Sequence, residues 1–212
     1  MSRFGRVGVD RIAFQYSGAP LASRRAQLAA PSKPAQPMPH AFQVLRCLLA
    51  VLLFAAGAAR ADVVSEVHTL IGKGDLVAAQ RAADAALTAR PRDAQTRFIH
   101  ALVLMESQRN EQAMAAFTQL SQEYPELPEP FNNIALLHVR GGRLELARQA
   151  LETALRNDPG HRAARTNLGE VYLMLAVQTW EQAAASAPLD TRLARKLEAT
   201  RALVAASAAA PR

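Results

Sequence analysis

From Phe131 to Pro159 the chain reads FNNIALLHVRGGRLELARQALETALRNDP. Phe131, Ile134, Ala135 and His138 recur at i, i+3, i+4 and i+7, the spacing of one face of a helix. Gly141, Gly142 and Arg143 then interrupt the pattern with turn chemistry. A second apolar series follows at Ala147, Leu151 and Ala154, and Pro159 closes it, because proline lacks the N–H a helix needs and clashes with the preceding turn. The stretch reads as two antiparallel helices joined by a tight turn. Neither series is wide enough to be buried alone, so the hairpin needs neighbours.

Neighbours of the same kind lie on both sides. Pro91, Pro125 and Pro159 stand 34 residues apart. Twelve residues before each lies Ala79, Ala113 or Ala147; eight before lies Ala83, Phe117 or Leu151; five before lies Ala86, Leu120 or Ala154. Small residues on a helix face let two helices approach closely. First-helix series also recur, as Val63, Val67 and Leu70 and then Ala101 and Leu104. Gly74-Asp75 and Gln108-Arg109-Asn110 occupy the turn positions.

In this spacing the chain resembles the tetratricopeptide repeat family, whose 34-residue unit runs W-x2-L-G-x2-Y, then A-x3-F-x2-A, then P. The third unit carries the pattern at Phe131, Ile134, Ala135, His138, Ala147, Leu151, Ala154 and Pro159. The first two units match chiefly in their second helix, and the fourth in its first, through Leu168-Gly169 and Tyr172. The resemblance implies an all-α fold, a right-handed superhelical stack of antiparallel helix hairpins with a C-terminal capping helix. Units are expected at about 62–93, 94–127, 128–161 and a shortened 162–188, followed by a capping helix at 189–206 and a disordered tail at 207–212.

The fourth unit departs from the period. Ala176, Trp180, Ala183 and Pro188 keep the second-helix spacing, but Pro188 follows Pro159 by 29 residues, five short of the period. Nothing between Tyr172 and Ala176 breaks a helix, which predicts one continuous helix over roughly Ala164 to Ala187. Leu189, Leu193, Leu197 and Leu203 mark a face of the last helix, with Asp190 as its N-cap. Such a helix would cover the open end of the stack.

The resemblance also places a concave groove on the first helices. Its candidate partner-binding residues are Phe98, Leu102 and Met105 in the second unit, Asn132, Leu136, Val139 and Arg140 in the third, and Thr166, Glu170 and Leu173 in the fourth. Mostly apolar, this set suits a peptide or helix with apolar anchors rather than nucleic acid, whose phosphates demand a basic stripe. The alternative occupants are the chain's own C-terminal helix and a second copy. Some family members grip a partner's terminal carboxylate with Lys, Asn and Arg. Only Asn133 matches that set here, and Phe98, Leu102, Ala163 and Asn167 stand where the other groups would be, so no clamp is expected and Asn133 reads as a helix-surface residue.

Chemistry finds little else to use. His68, His100, His138 and His161 come without an H-E-x-x-H pairing, and neither G-x-S-x-G nor a phosphate-binding loop occurs. Trp180 and Tyr172 read as core residues. The expectation is a protein without catalytic residues, metal or cofactor.

The formal charge of +7 over 212 residues at first suggests a nucleic-acid binder. The excess lies entirely in residues 1–61, with eight basic side chains to one acidic, whereas residues 62–212 carry seventeen of each. Within the latter, residues 62–139 sum to −4 and residues 140–212 to +4. Cys47 to Ala59 is an uncharged apolar run of thirteen residues, short of the ~20 that span a bilayer. Followed by Ala59-Arg60-Ala61, it reads as a signal peptide over 38–61 with cleavage after Ala61, preceded by an extension over 1–37 that a start at Met38 would remove. Cys47 is the sole cysteine, so a chain starting at Asp62 has no thiol.

Together these readings predict a non-catalytic scaffold or adaptor in a bacterial envelope, periplasmic or secreted, binding a protein partner. The alternatives are a self-associating structural component and an assembly factor tethered by an uncleaved, inner-membrane anchor. No nucleic acid is expected, and membrane contact only through the signal segment.

Overall fold

The computed structural model describes residues 63–209. The extension, the apolar run and its cleavage site, and residues 210–212 lie outside the described residues. All regular structure among the described residues is helical: α1 (63–72), α2 (Leu76–Ala89), α3 (Ala94–Glu106), α4 (Asn110–Glu123), α5 (Pro128–Arg140), α6 (Leu144–Asn157), α7 (Arg162–Ser186) and α8 (Thr191–Ala209). They divide into two compact units whose boundary falls inside α4, between Ala113 and Met114.

In the first unit α2 packs on α3, and Val67, Ala79, Ala83, Ile99 and Val103 form the core. Asp75 caps α2 by accepting the N–H of Ala78, and Asp93 caps α3 by accepting that of Thr96, each at 3.0 Å. These bonds satisfy donors that a helix start leaves without a partner.

In the second unit α6 lies against both α5 and α7, and α8 folds back on α7. The core joins Ala135, Val139, Ala147, Leu151, Ala154, Ala164, Val171 and Met174. Leu151 is fully buried, worth about 1.5–3 kcal/mol relative to exposure. Ala147 and Ala154 beside it are small enough to bring the helices together. All nine residues of the three second-helix series, from Ala79 to Ala154, are buried.

The hydrogen bonds repeat with the sequence. Among the described residues, Gly74, Gln108 and Gly142 have positive φ, at 75°, 61° and 69°. At each, the following N–H reaches back five residues to a helix carbonyl: Asp75 to Leu70, Arg109 to Leu104 and Arg143 to His138, at 3.0, 2.9 and 2.9 Å. The left-handed residues donate to Ile71, Met105 and Val139. These are three Schellman turns, and glycine fills the strained position in two of them.

One helix spans Arg162–Ser186, where a complete unit would have a turn. Its 25 residues extend about 37 Å. His161 starts it, with Nδ1 accepting the N–H of Ala164 at 3.0 Å. After Pro188, Asp190 Oδ1 accepts the N–H of Leu193 at 2.8 Å. α8 then runs antiparallel to α7, with Arg201 bonded to Glu181 at 2.7 Å and Ser207 Oγ donating to Glu170 Oε1 at 3.3 Å. It continues to Ala209, past the expected end at 206, because alanine favours helix and Ser207 is held to α7.

Candidate protein-docking face

In the first unit the candidate residues lie on α3, a helix buried nearly all round. Phe98, Leu102 and Met105 are 4, 3 and 0% exposed. Ile99 and Val103, on the adjoining side of the helix, belong to the core.

In the second unit the candidates divide between α5 and α7. Asn132, Leu136 and Val139 are buried, and Val139 is part of the central cluster. Arg140, Glu170 and Leu173 are half-buried and Thr166 is exposed. At 3.6 residues per turn, Asn132, Leu136, Val139 and Arg140 share a stripe of α5, while Thr166, Glu170 and Leu173 share one of α7. The accessible part of the predicted set therefore lies on α7 and at the end of α5.

Polar groups sit beneath this edge. Asn167 Nδ2 donates to Asn132 Oδ1 at 2.9 Å, tying α7 to α5. Asn133 Nδ2 donates to the Glu129 carbonyl at 2.9 Å. Three amide atoms remain buried without a partner among the described residues: Asn132 Nδ2, Asn167 Oδ1 and Asn133 Oδ1. Each such group costs about 1–3 kcal/mol when buried and unpaired. Asn133 is 2% exposed, which corrects its reading as a surface residue. Sequence offered a signal, since Asn133 and Asn167 are one 34-residue period apart, but not the bond from Asn167 to Asn132.

The histidines take separate places. His100 Nε2 lies 3.2 Å from Asp84. His138 Nδ1 accepts from Arg143 Nε at 3.0 Å, and its pKa is lowered first by burial and then by the Arg143 charge. Burial lowers that of His68. His161 is a helix cap, a role its sequence position did not announce. Among the described residues no three metal-ligating side chains converge.

Tyr172 is 49% exposed and Trp180 half-buried, which corrects their reading as core residues. The uninterrupted α7 is the reason: the return helix that would cover Tyr172 instead continues along its axis. The Tyr172 hydroxyl lies 3.4 Å from Glu152 Oε1.

The sequence profile described as Tetratricopeptide repeat matches residues 65–128 and 132–211. No curated protein matches the chain. Among solved structures, a chain in "Structure of Naa15/Naa10 bound to HypK-THB" is similar, with a TM-score of 0.51 and 17% identity over 68% of this chain and 23% of that one. A tetratricopeptide repeat protein from Parabacteroides merdae has a TM-score of 0.47 and 20% identity over 69% of this chain and 61% of its own. The MamA protein has a TM-score of 0.46 and 17% identity, covering 71% and 87%. The chain thus spans less than two thirds of the length of the first two.

Proposed function

Because the chain belongs to the tetratricopeptide repeat family, we propose that it is a non-catalytic adaptor of the bacterial cell envelope that docks a partner peptide or helix on the α5–α7 face. Tetratricopeptide repeats generally mediate protein–protein contacts and are not catalytic folds. The observation that carries the reading is the Asn132–Asn167 pair. Bonded to each other, the two amides keep one donor, Asn132 Nδ2, and one acceptor, Asn167 Oδ1. The pair is buried and fixes α7 against α5, so that Arg140, Thr166 and Glu170 form an accessible edge on a held pair of helices.

A photo-crosslinking residue placed at Thr166 should capture a discrete partner from envelope extracts, whereas one at the exposed Gln149 of α6 should not. The Arg140→Glu, Thr166→Arg double variant should lose that partner. Retention of the same partner by the variant would show that docking occurs elsewhere.

Export is the second part of the proposal. It is supported by the apolar run Cys47–Ala59, the Ala59-Arg60-Ala61 tripeptide and the absence of cysteine after residue 47. Among the described residues no helix is long and apolar enough to cross a membrane. N-terminal sequencing of the protein from its native host should begin at Asp62. A start at Met1 or Met38 would support the retained anchor instead.

An intramolecular occupant is a second reading, favoured by the Ser207–Glu170 contact, through which α8 already reaches one candidate position. Ser207→Asp would set two carboxylates against each other; if α8 competes with the partner, this variant binds it more tightly.

A further inference from the structure

Leu70, Leu104 and His138 stand 34 residues apart, near the end of each first helix, and each gives its carbonyl to the turn that follows. The backbone of the three turns is the same, but the third adds a side-chain bond: Arg143 Nε donates to His138 Nδ1 at 3.0 Å. Leucine, which stands there in the first two units, has no acceptor to offer. Those turns close without such a bond, so in the third unit it is an addition to a turn that the backbone already holds. The guanidinium lies folded over Gly141, where a Cβ would stand 2.8 Å from Arg143 Nη1. Glycine leaves it room.

We propose that this pair is a proton-controlled clasp: neutral His138 keeps Arg143 folded against Gly141, and protonation of the ring releases the guanidinium while the turn stays closed. An imidazole nitrogen accepts only through its free lone pair, and Nδ1 loses that pair on taking a proton. An N–H would then face an N–H, and a cation a cation. His138 is half-buried, so protons reach it. Burial first, and the Arg143 charge second, lower its pKa, the direction expected when the folded state favours the neutral ring.

Among the described residues no carboxylate is placed to hold the imidazolium, and Arg143 is the charged group that acts on the ring. On α6, Glu145 and Glu152 are both engaged by Arg148. On α7, Glu170 accepts from Ser207, and Arg165 donates to the Pro159 carbonyl. Arg140, two residues beyond His138 on α5, lies nearly on the opposite side of that helix. Nothing therefore offsets the repulsion between the two cations, and the flexible one moves. Acidification thus presents a freed guanidinium and a new imidazolium at the end of α5, beside the edge assigned above to docking. The clasp itself works whether or not a partner binds there.

Heteronuclear NMR of the full chain between about pH 8 and pH 5 reads both partners. The Arg143 Nε–H should be protected from exchange in the neutral form and lose that protection at the midpoint of the His138 titration, below 6.5. The backbone N–H of Arg143, bonded to the His138 carbonyl at 2.9 Å, should stay protected throughout. Arg143→Ala should move the His138 midpoint upward and leave unmoved that of His68, which burial lowers. Arg143 caps α6 without a side-chain bond, so this truncation spares the helix start. His138→Leu, which installs the residue of the first two turns, should keep the fold and leave the Arg143 Nε–H unprotected at every pH. An Nε–H that ignores the titration overturns the clasp, as does a His138 midpoint that Arg143→Ala leaves in place. Backbone protection lost together with the side chain's would also overturn it, by showing that protonation opens the turn itself.

Discussion

Asn167 Nδ2 and Asn132 Oδ1 meet at 2.9 Å, 35 residues apart in the chain, and this bond joins α7 to α5 in a setting where both side chains are buried. Removing either partner leaves the other's bonding atom without its mate. Asn132→Ala and Asn167→Ala should each lower the unfolding free energy by about 1–3 kcal/mol. The double variant should lose less than the sum of the two. Urea unfolding followed by the fluorescence of Trp180, which sits on α7, provides the measurement; strict additivity would mean that the bond contributes nothing of its own.

Gln108 occupies a conformation that the equivalent turns assign to glycine, with φ at 61°. Gln108→Gly should stabilise the protein by roughly 0.5–1 kcal/mol, because relief of left-handed strain exceeds the added freedom of the unfolded chain. Gly142→Ala, at φ 69°, should destabilise by about 1 kcal/mol even though its Cβ would meet no atom within 4 Å. Thermal unfolding of the pair should shift in opposite directions.

Burial, with Arg143 second, lowers the pKa of His138 below 6.5, and burial does the same for His68. The folded rings therefore bind protons less tightly than the unfolded chain. Above pH 6.5 both states are neutral and the contribution is complete. As pH falls below that value the unfolded chain gains its protons first, so stability declines until the folded rings are protonated as well. His138→Gln should flatten the decline in stability between about pH 7 and pH 5. An unchanged slope would place the titration on other groups.

α8 docks on α7, and Leu197, 4% exposed, is its one buried residue among those described. Leu197→Ala should weaken its docking by about 2–3 kcal/mol. Leu203→Ala, at a position 57% exposed, should be near neutral. Hydrogen exchange should show protection lost in α8 and retained in α6 for the first variant only. Loss spread evenly over the second unit would mean that α8 does not open separately.

The chain alone determined what is local and repeated. Pro91, Pro125 and Pro159 ended their helices, the small residues at 79, 113 and 147 marked the close contacts, and the missing break between Tyr172 and Ala176 made α7 continuous, since each depends on nearby backbone chemistry. A 34-residue period amplifies such signals by repeating them. What depends on distant neighbours was decided only in three dimensions. The Asn132–Asn167 bond, the burial of Phe98, Leu102 and Met105, and the exposure of Tyr172 follow from which helix lies beside which. A position in a repeat specifies its usual surroundings, and at the shortened fourth unit those surroundings are absent, so the same Gly169 and Tyr172 that signal a closed hairpin remain open on the surface of α7.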